Sequence, residues 1–379
     1  MTHLDETLTI GIEEEYLLVD AQTRALAARP PREFMASCQD LLGPKVMHEF
    51  LQSQIEIGTN ACATIAEARE DLLHLRRTVA QCARDNGMAM VAASTHPWAH
   101  WSEQEPVDMD RYRILGAEHQ ALARRMAICG MHVHAGVRDK NLRVDLMSQV
   151  SYFMPHLLAL STSSPFWEGS DTGLKAFRPI IIGDLPRSGF PEVFENWNDW
   201  IELLDDLATT GMVTDPSKIW WDIRPSGKHP TLEIRICDVC TDVEDGLTIA
   251  ALYQSILAYL CHLRESNERR RHYRRILLAE NKWRAMRYGT EAMMGDFGKR
   301  KLVAFTDLTD ELVELVRPFA EDLGCIREVE HARTIARRGT SSDVQLRIFH
   351  DALARGASER DAQIAVVDWL IEETVNAGE

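Results

Sequence analysis

Residues 7–20 read Thr-Leu-Thr-Ile-Gly-Ile-Glu-Glu-Glu-Tyr-Leu-Leu-Val-Asp, and the run has the look of a strand. In an extended chain successive side chains point to opposite faces. Ile10, Ile12, Tyr16 and Leu18 therefore share one face, and Glu13 and Glu15 share the other with Thr9 and Gly11. Two carboxylates one strand repeat apart lie roughly 7 Å from each other at their Cα atoms, close enough to converge on one hard cation. A solvated strand face would carry the same glutamates with no such role, so the rest of the chain has to decide.

Three more segments repeat the arrangement. Residues 46–58 read as a second strand, with Ser53, Ile55 and Ile57 on one face and Gln52, Gln54 and Glu56 on the other. In the strand expected at 129–137, His132 and His134 share a face while Met131, Val133 and Ala135 point away. Two strands at 219–224 and 231–238 are joined by Pro225-Ser-Gly-Lys-His-Pro230, a hairpin signal. In the second of them Glu233 and Arg235 oppose Leu232, Ile234 and Ile236. A half-buried strand ordinarily alternates apolar residues with Thr, Ser or Lys. These strands alternate with Glu, His, Gln and Arg, which are costly to gather unless partners neutralise them.

Were the strands neighbours, one sheet face would carry at least four carboxylates, two histidines and an arginine. Like charges so close raise one another's pKa unless cations sit between them. Oxygen-rich sites with few imidazoles favour Mg²⁺ or Mn²⁺ over Zn²⁺. The alternative is a surface ladder with cross-strand salt bridges such as Glu56 with Arg235. Carboxylate-held magnesium usually serves phosphate chemistry, which also wants fixed cations. Candidates are Lys175 and Arg178 in the loop 171–178, Arg235, and Lys282, Arg284 and Arg287 in 280–289. No Gly-x-x-x-x-Gly-Lys-Ser/Thr loop and no strand–Gly-x-Gly-x-x-Gly–helix unit occurs, so a nucleotide would not be held by those devices.

Between the strands the chain reads as helices. Pro30 and Pro31 open one that Gly43 and Pro44 end, and Thr64-Ile-Ala-Glu67 is a capping box for another running to about residue 86. A short buried strand is expected at 87–94, a polar and aromatic loop at 95–110, and one long helix from Asp139 or Asn141 to about residue 164. Residues 166–191 read as a long functional loop with a short strand at 180–182. Thr241-Asp-Val-Glu244 is a second capping box, and the chain beyond about 263 reads as almost all helix, with Ser342 and Ser358 as caps. Without repeats, linkers or composition breaks, the pattern predicts a single α+β domain over 1–379, with helices gathered on one side of a largely antiparallel sheet.

The formal charge of −16 argues against a nucleic-acid binder but leaves a nucleotide substrate open. The basic cluster at 269–275 reads as a solvated helix face. No apolar run reaching the ~20 residues of a membrane span is apparent, and the N-terminus lacks a signal-peptide layout, so a cytoplasmic protein without membrane partners is expected. Eight cysteines without paired spacing fit a reducing compartment, and Cys237 and Cys240 read as idle thiols.

Taken in order, Gly11-Ile-Glu-Glu-Glu-Tyr, Gln54-Ile-Glu-Ile, Gly130-Met-His-Val-His, Trp220-Trp-Asp-Ile-Arg-Pro with Thr231-Leu-Glu-Ile-Arg-Ile-Cys-Asp, and Glu280-Asn-Lys-Trp-Arg-Ala resemble the glutamate–cysteine ligase type 2 family of carboxylate–amine ligases. The stretch 331–341 resembles it too. The resemblance implies a glutamine-synthetase-like curved sheet that holds ATP and two or three Mg²⁺ ions, with Mn²⁺ as a substitute. It implies Glu13, Glu15, Glu56, His132 and Glu233 as metal ligands, and Arg235 directed towards phosphate or substrate. Arg178 joins Arg235 as a candidate catalytic cation, and Lys175 and Arg284 join both as candidates for ATP. The implied reaction couples glutamate, or a similar acid, to cysteine or another amine through an acyl phosphate. A homo-oligomer is compatible with this. One feature departs from the resemblance: His134 stands where better-studied glutamate–cysteine ligases tend to have an asparagine; separately, Glu14 falls on the apolar side of its strand. Competing readings are a metal-dependent hydrolase built on His132 and His134, with His96 and His100 as further ligands, and a non-catalytic relative.

Overall fold

The computed structural model describes residues 8–213 and 215–376; Thr7, the first residue of the opening stretch, lies outside them. Seven strands form the central sheet: β1 (Ile10–Asp20), β2 (Val46–His48), β3 (Gln54–Gly58), β4 (Met88–Val91), β5 (Met131–Gly136), β6 (Ile223–Pro225) and β7 (Thr231–Ile234). Their order is β6-β7-β5-β1-β3-β2, with β4 also on β1, and every pairing is antiparallel. At eleven residues β1 is long enough to take β5 along its first half and β4 along its second. It is the strand that joins the others into one sheet.

Register decides which side chains meet. Glu13 lies opposite His132 of β5, Glu15 opposite Glu56 of β3, and His134 opposite Glu233 of β7. The other face carries Ile10, Ile12, Tyr16 and Leu18, all buried. Helices Ile65–Asp85 and Val243–Glu265 cover it. Gly246 is what lets the second of these come close: a Cβ there would lie 3.3 Å from Glu14 Oε1 and 3.5 Å from Met131 Sδ.

Glu14 points into this apolar layer because it has a partner there. Arg76 of the first helix grips both its carboxylate oxygens at 2.8 Å, and Tyr16 donates its hydroxyl to it. Two further guanidinium hydrogens go to the carbonyls of Cys240 and Thr241, each at 2.8 Å. A buried charge is tolerated only when paired and hydrogen-bonded, and this one is both.

Several local expectations are corrected. The 46–58 strand is two strands separated by a turn, and the 139–164 helix is Lys140–Val150 followed by Met154–Ser161. The break falls where Pro155, which has no N–H to give, opens the second helix. Residues 180–182 belong to the helix Arg178–Gly183, where Pro179 sits in the first turn and outweighs the strand preference of three isoleucines. Asp242 rather than Thr241 caps Val243–Glu265, because the Thr241 hydroxyl donates to the Ala92 carbonyl at 2.7 Å. Thr340 precedes the helix Ser341–Ala354, its N–H donating to Asp343, so Ser342 is inside the helix and not its cap. Ser358 caps the last helix as expected. The C-terminal third also contains a hairpin, Met293–Asp296 with Lys301–Ala304, and residues 269–274 are not helical. Val243–Glu265 is long and apolar enough to cross a membrane, a stretch the sequence reading underestimated. Its apolar window is 83% buried inside the protein, where it is the central core helix.

Candidate active site

The polar face of the sheet gathers Glu13, Glu15, Glu56, His132, His134 and Glu233 as alternation and register require. Glu13 reaches both histidines: its Oε2 is 3.4 Å from His132 Nδ1 and its Oε1 is 3.3 Å from His134 Nε2. Glu15 accepts the N–H of Gly130 at 2.7 Å and lies 3.9 Å from His132 Nε2. Glu233 is held by Arg224 from the next strand, at 3.1 Å, and by Arg235.

The charges fall into two groups. At the Glu13–Glu233 end, burial works against the carboxylates but loses. The close approach and charge of His132 and His134 hold Glu13 far below the usual carboxylate range, and Arg235 and Arg224 do the same for Glu233. At the other end burial wins. It pushes Glu15 up to about 8, helped by the charge of Glu49 and only partly opposed by Arg178 and Arg235. Glu56 is driven well above its usual value by burial and by Glu49, Glu13 and Glu15. Burial, with Arg235 beside it, takes His132 down to about 4. Five carboxylates thus face three guanidinium groups, and the deficit is concentrated around Glu15, Glu49 and Glu56. A bound divalent cation is what such a crowd lacks. The donor set also fits one: oxygen-dominated, with buried Nε2 atoms on His132 and His134 that have no hydrogen-bond partner.

Arg178 reaches the site by an indirect route. Gly130 has no Cβ, and one built there would lie 2.1 Å from Arg178 Nη2, so the guanidinium lies flat against this glycine. Its Nη1 donates to the Arg235 carbonyl at 3.1 Å. Arg178 and Arg235, with Trp220, Asp222 and Ile182, line a small cleft. Asp222 there is paired with Lys282 at 2.7 Å.

The other three candidate cations are engaged elsewhere, Arg287 lying over the Tyr288 ring. Lys175 pairs with Asp343, and Arg284 bonds Glu280 at 2.9 Å on its own helix and the Met293 carbonyl at 3.1 Å. The extra histidines of the hydrolase reading are also elsewhere. His96 staples a loop by donating to the Arg24 carbonyl at 2.8 Å and accepting from the N–H of Ala99 at 3.1 Å, and His100 bonds Ser102. Cys237 and Cys240 are buried, free thiols.

Sequence reasoning missed two residues of the site. Arg224 is one residue from the hairpin turn and is recognisable only through its pairing with Glu233. Glu49 follows β2 outside any alternation, and its side chain bonds that of Glu56. Phe50 and Leu51, which follow it, belong to a small separate apolar cluster with Val107, Tyr112, Ala123 and Ala127.

Comparison with known proteins follows this geometry. The family model described as "Glutamate-cysteine ligase family 2(GCS2)" matches residues 9–364. Curated proteins named "Putative glutamate--cysteine ligase 2" are similar along nearly their whole length. The one from Rhodospirillum rubrum is 50% identical over 375 residues, covering 98% of this chain and 96% of its own. The one from Jannaschia sp. is 50% identical over 372 residues, covering 98% of each. Among solved structures, a glutamate–cysteine ligase from Francisella tularensis in complex with AMP superposes with a TM-score of 0.67 at 15% identity, over 97% of this chain and 89% of that one. A bifunctional glutathione synthetase from Pasteurella multocida gives 0.69 at 13% identity, over 96% of this chain and 52% of that one. The two solved structures share the fold; the sequence matches go further, and by them the chain belongs to glutamate–cysteine ligase family 2.

Proposed function

We propose that the protein is an ATP- and Mg²⁺-dependent carboxylate–amine ligase, one catalytic domain that joins the side-chain carboxylate of glutamate, or of a similar acid, to an amine such as cysteine. The observation that carries this reading is the convergence of Glu13, Glu15, Glu56 and Glu233 on one sheet face, with Glu15 and Glu56 driven up in pKa by burial and by neighbouring carboxylates. These four carboxylates, with His132 in reach of Glu13 and Glu15, would hold the metal. When bound, magnesium would neutralise charge between ATP and the acid substrate.

The chain's own residues supply the rest. A carboxylate is a poor electrophile, so an oxygen of the acid attacks the γ-phosphorus of ATP, ADP leaves, and the amine then displaces phosphate from the acyl phosphate. Arg178 and Arg235 line the same cleft as fixed donors, already oriented before substrate arrives. Such preorganised charge costs no reorganisation when the phosphoryl group transfers. Arg224 and Arg235 together clamp Glu233, keeping it ionised for a metal. That a ligase of the same fold was solved in complex with AMP supports the use of a nucleotide. A cytoplasmic setting fits the eight free thiols.

The test is ADP release by purified protein given ATP, Mg²⁺ and glutamate, with and without cysteine and a panel of other amines. Amine-dependent ADP with a matching amide product is expected. Phosphate release from ATP that ignores both acid and amine would refute the ligase reading.

A further inference from the structure

His134 Nε2 is buried at the acidic site without a hydrogen-bond partner, 3.3 Å from Glu13 Oε1. We propose that His134 Nε2 is the nitrogen ligand of a metal position formed with Glu13 and Glu233, so that this end of the site holds an imidazole-accepting cation such as Mn²⁺ or Co²⁺ in preference to Mg²⁺. The proposal rests on the metal-dependent ligase reading above.

Three observations carry it. Ligand atoms of Glu13, His134 and Glu233 lie within 4.8 Å of one another, one from each of three adjacent strands. His134 is 9% exposed, and its Nε2 is buried with no hydrogen-bond partner, 3.3 Å from Glu13 Oε1. Its other nitrogen, Nδ1, lies 2.9 Å from the Thr231 hydroxyl. With Nδ1–H donated to that oxygen, the neutral ring keeps its lone pair on Nε2, facing the two carboxylates. Metal-binding histidines are commonly held this way, the far nitrogen donating to a neighbour that fixes tautomer and ring orientation.

His132, on the same face, has other neighbours. Its Nδ1 lies 3.3 Å from Arg235 Nη1 and 3.4 Å from Glu13 Oε2, and its Nε2 faces Glu15 3.9 Å away. Of the two histidines it is His134 whose ligand atom lies within 4.8 Å of those of both Glu13 and Glu233. An imidazole among carboxylates shifts preference from Mg²⁺ towards later divalent ions.

The experiment loads the full chain with Mn²⁺ alone, without nucleotide, and measures affinity by titration and ¹⁴N coupling by pulsed electron paramagnetic resonance. Wild type is expected to show imidazole nitrogen coupling. His134→Asn should lose that coupling and bind Mn²⁺ about 10-fold or more weakly, with a smaller change for Mg²⁺. Thr231→Val, which removes the partner of Nδ1 but no ligand, should weaken Mn²⁺ binding while retaining the coupling. Circular dichroism of each variant checks that the sheet is intact. Coupling that persists in His134→Asn and vanishes in His132→Asn overturns the proposal, as does wild type that binds Mn²⁺ without nitrogen coupling or binds none. Magnesium-supported ADP release by wild type is scored separately. Turnover without the nitrogen signature sinks this proposal alone, and the signature without turnover sinks only the ligase reading.

Discussion

Removing Arg76 tests whether the back of the acidic strand is held by one buried ion pair. Arg76 and Glu14 are 1% and 0% exposed at their side chains, and the guanidinium makes two hydrogen bonds to the carboxylate and two to the carbonyls of Cys240 and Thr241. In Arg76→Met the aliphatic volume is largely kept, but a buried carboxylate loses its charge partner and two buried carbonyls lose their donors. Breaking one side of a buried pair costs about 3–5 kcal/mol. Only the Tyr16 hydroxyl would remain on Glu14. Glu14→Gln keeps acceptor and shape and removes only the charge, so about 1–3 kcal/mol is expected. The Arg76→Met, Glu14→Leu double variant should fall below the sum of the two single losses, because no unpaired charge is left behind. Urea unfolding followed by far-ultraviolet circular dichroism measures all three. Arg76→Met within about 0.5 kcal/mol of wild type, the range of ordinary surface changes, would refute the argument that this pair anchors β1 to the 240–241 turn.

Four further outcomes are expected. Glu233→Ala should abolish ATP-dependent ligation with the circular dichroism spectrum unchanged, since Glu233 accepts from two arginines at the site; unchanged turnover would remove it from the mechanism. Gly130→Ala should slow turnover by on the order of 10-fold or more, because the new Cβ would lie 2.1 Å from Arg178 Nη2 and displace that buried guanidinium; a variant with normal rates would take Arg178 out of the reaction. Lys175→Ala and Arg284→Ala should leave the KM for ATP unchanged, their partners being Asp343 in one case and Glu280 and the Met293 carbonyl in the other; a raised KM in either would return that residue to the nucleotide site. The raised Glu15, about 8 in the folded protein against an ordinary 4.5, predicts a pH dependence. Its contribution to the stability of the metal-free protein is fully present below pH 4.5 and is lost as pH rises towards 8. Mg²⁺ needs the ionised carboxylate, so the Mg²⁺-induced rise in Tm should be larger at pH 8 than at pH 6; an equal or smaller rise at pH 8 would contradict the assignment.

Much of the site was legible in the sequence because a strand's side chains alternate by local geometry alone. That rule put Glu13 with Glu15, His132 with His134, and Glu233 with Arg235 before any neighbour was known, and the observed register agrees. It also flagged Glu14 as facing the wrong way, correctly as geometry and without a reason. Alternation is silent where backbone leaves the strand. Glu49, in the turn after β2, therefore went unnoticed, and the isoleucines at 180–182 were read by propensity where Pro179 set the backbone.

Sequence alone determined the class of fold, the strands that carry the acidic groups and the face each group occupies. Only tertiary structure decided which partner each charged side chain takes. It gave Glu14 to Arg76, Lys175 to Asp343, Arg178 to the bare backbone of Gly130, and different neighbours to His132 and His134. The reason is that facing follows from the backbone of a few consecutive residues. An ion pair or a histidine's neighbours depend on groups that lie tens to hundreds of positions away and meet only when the sheet closes.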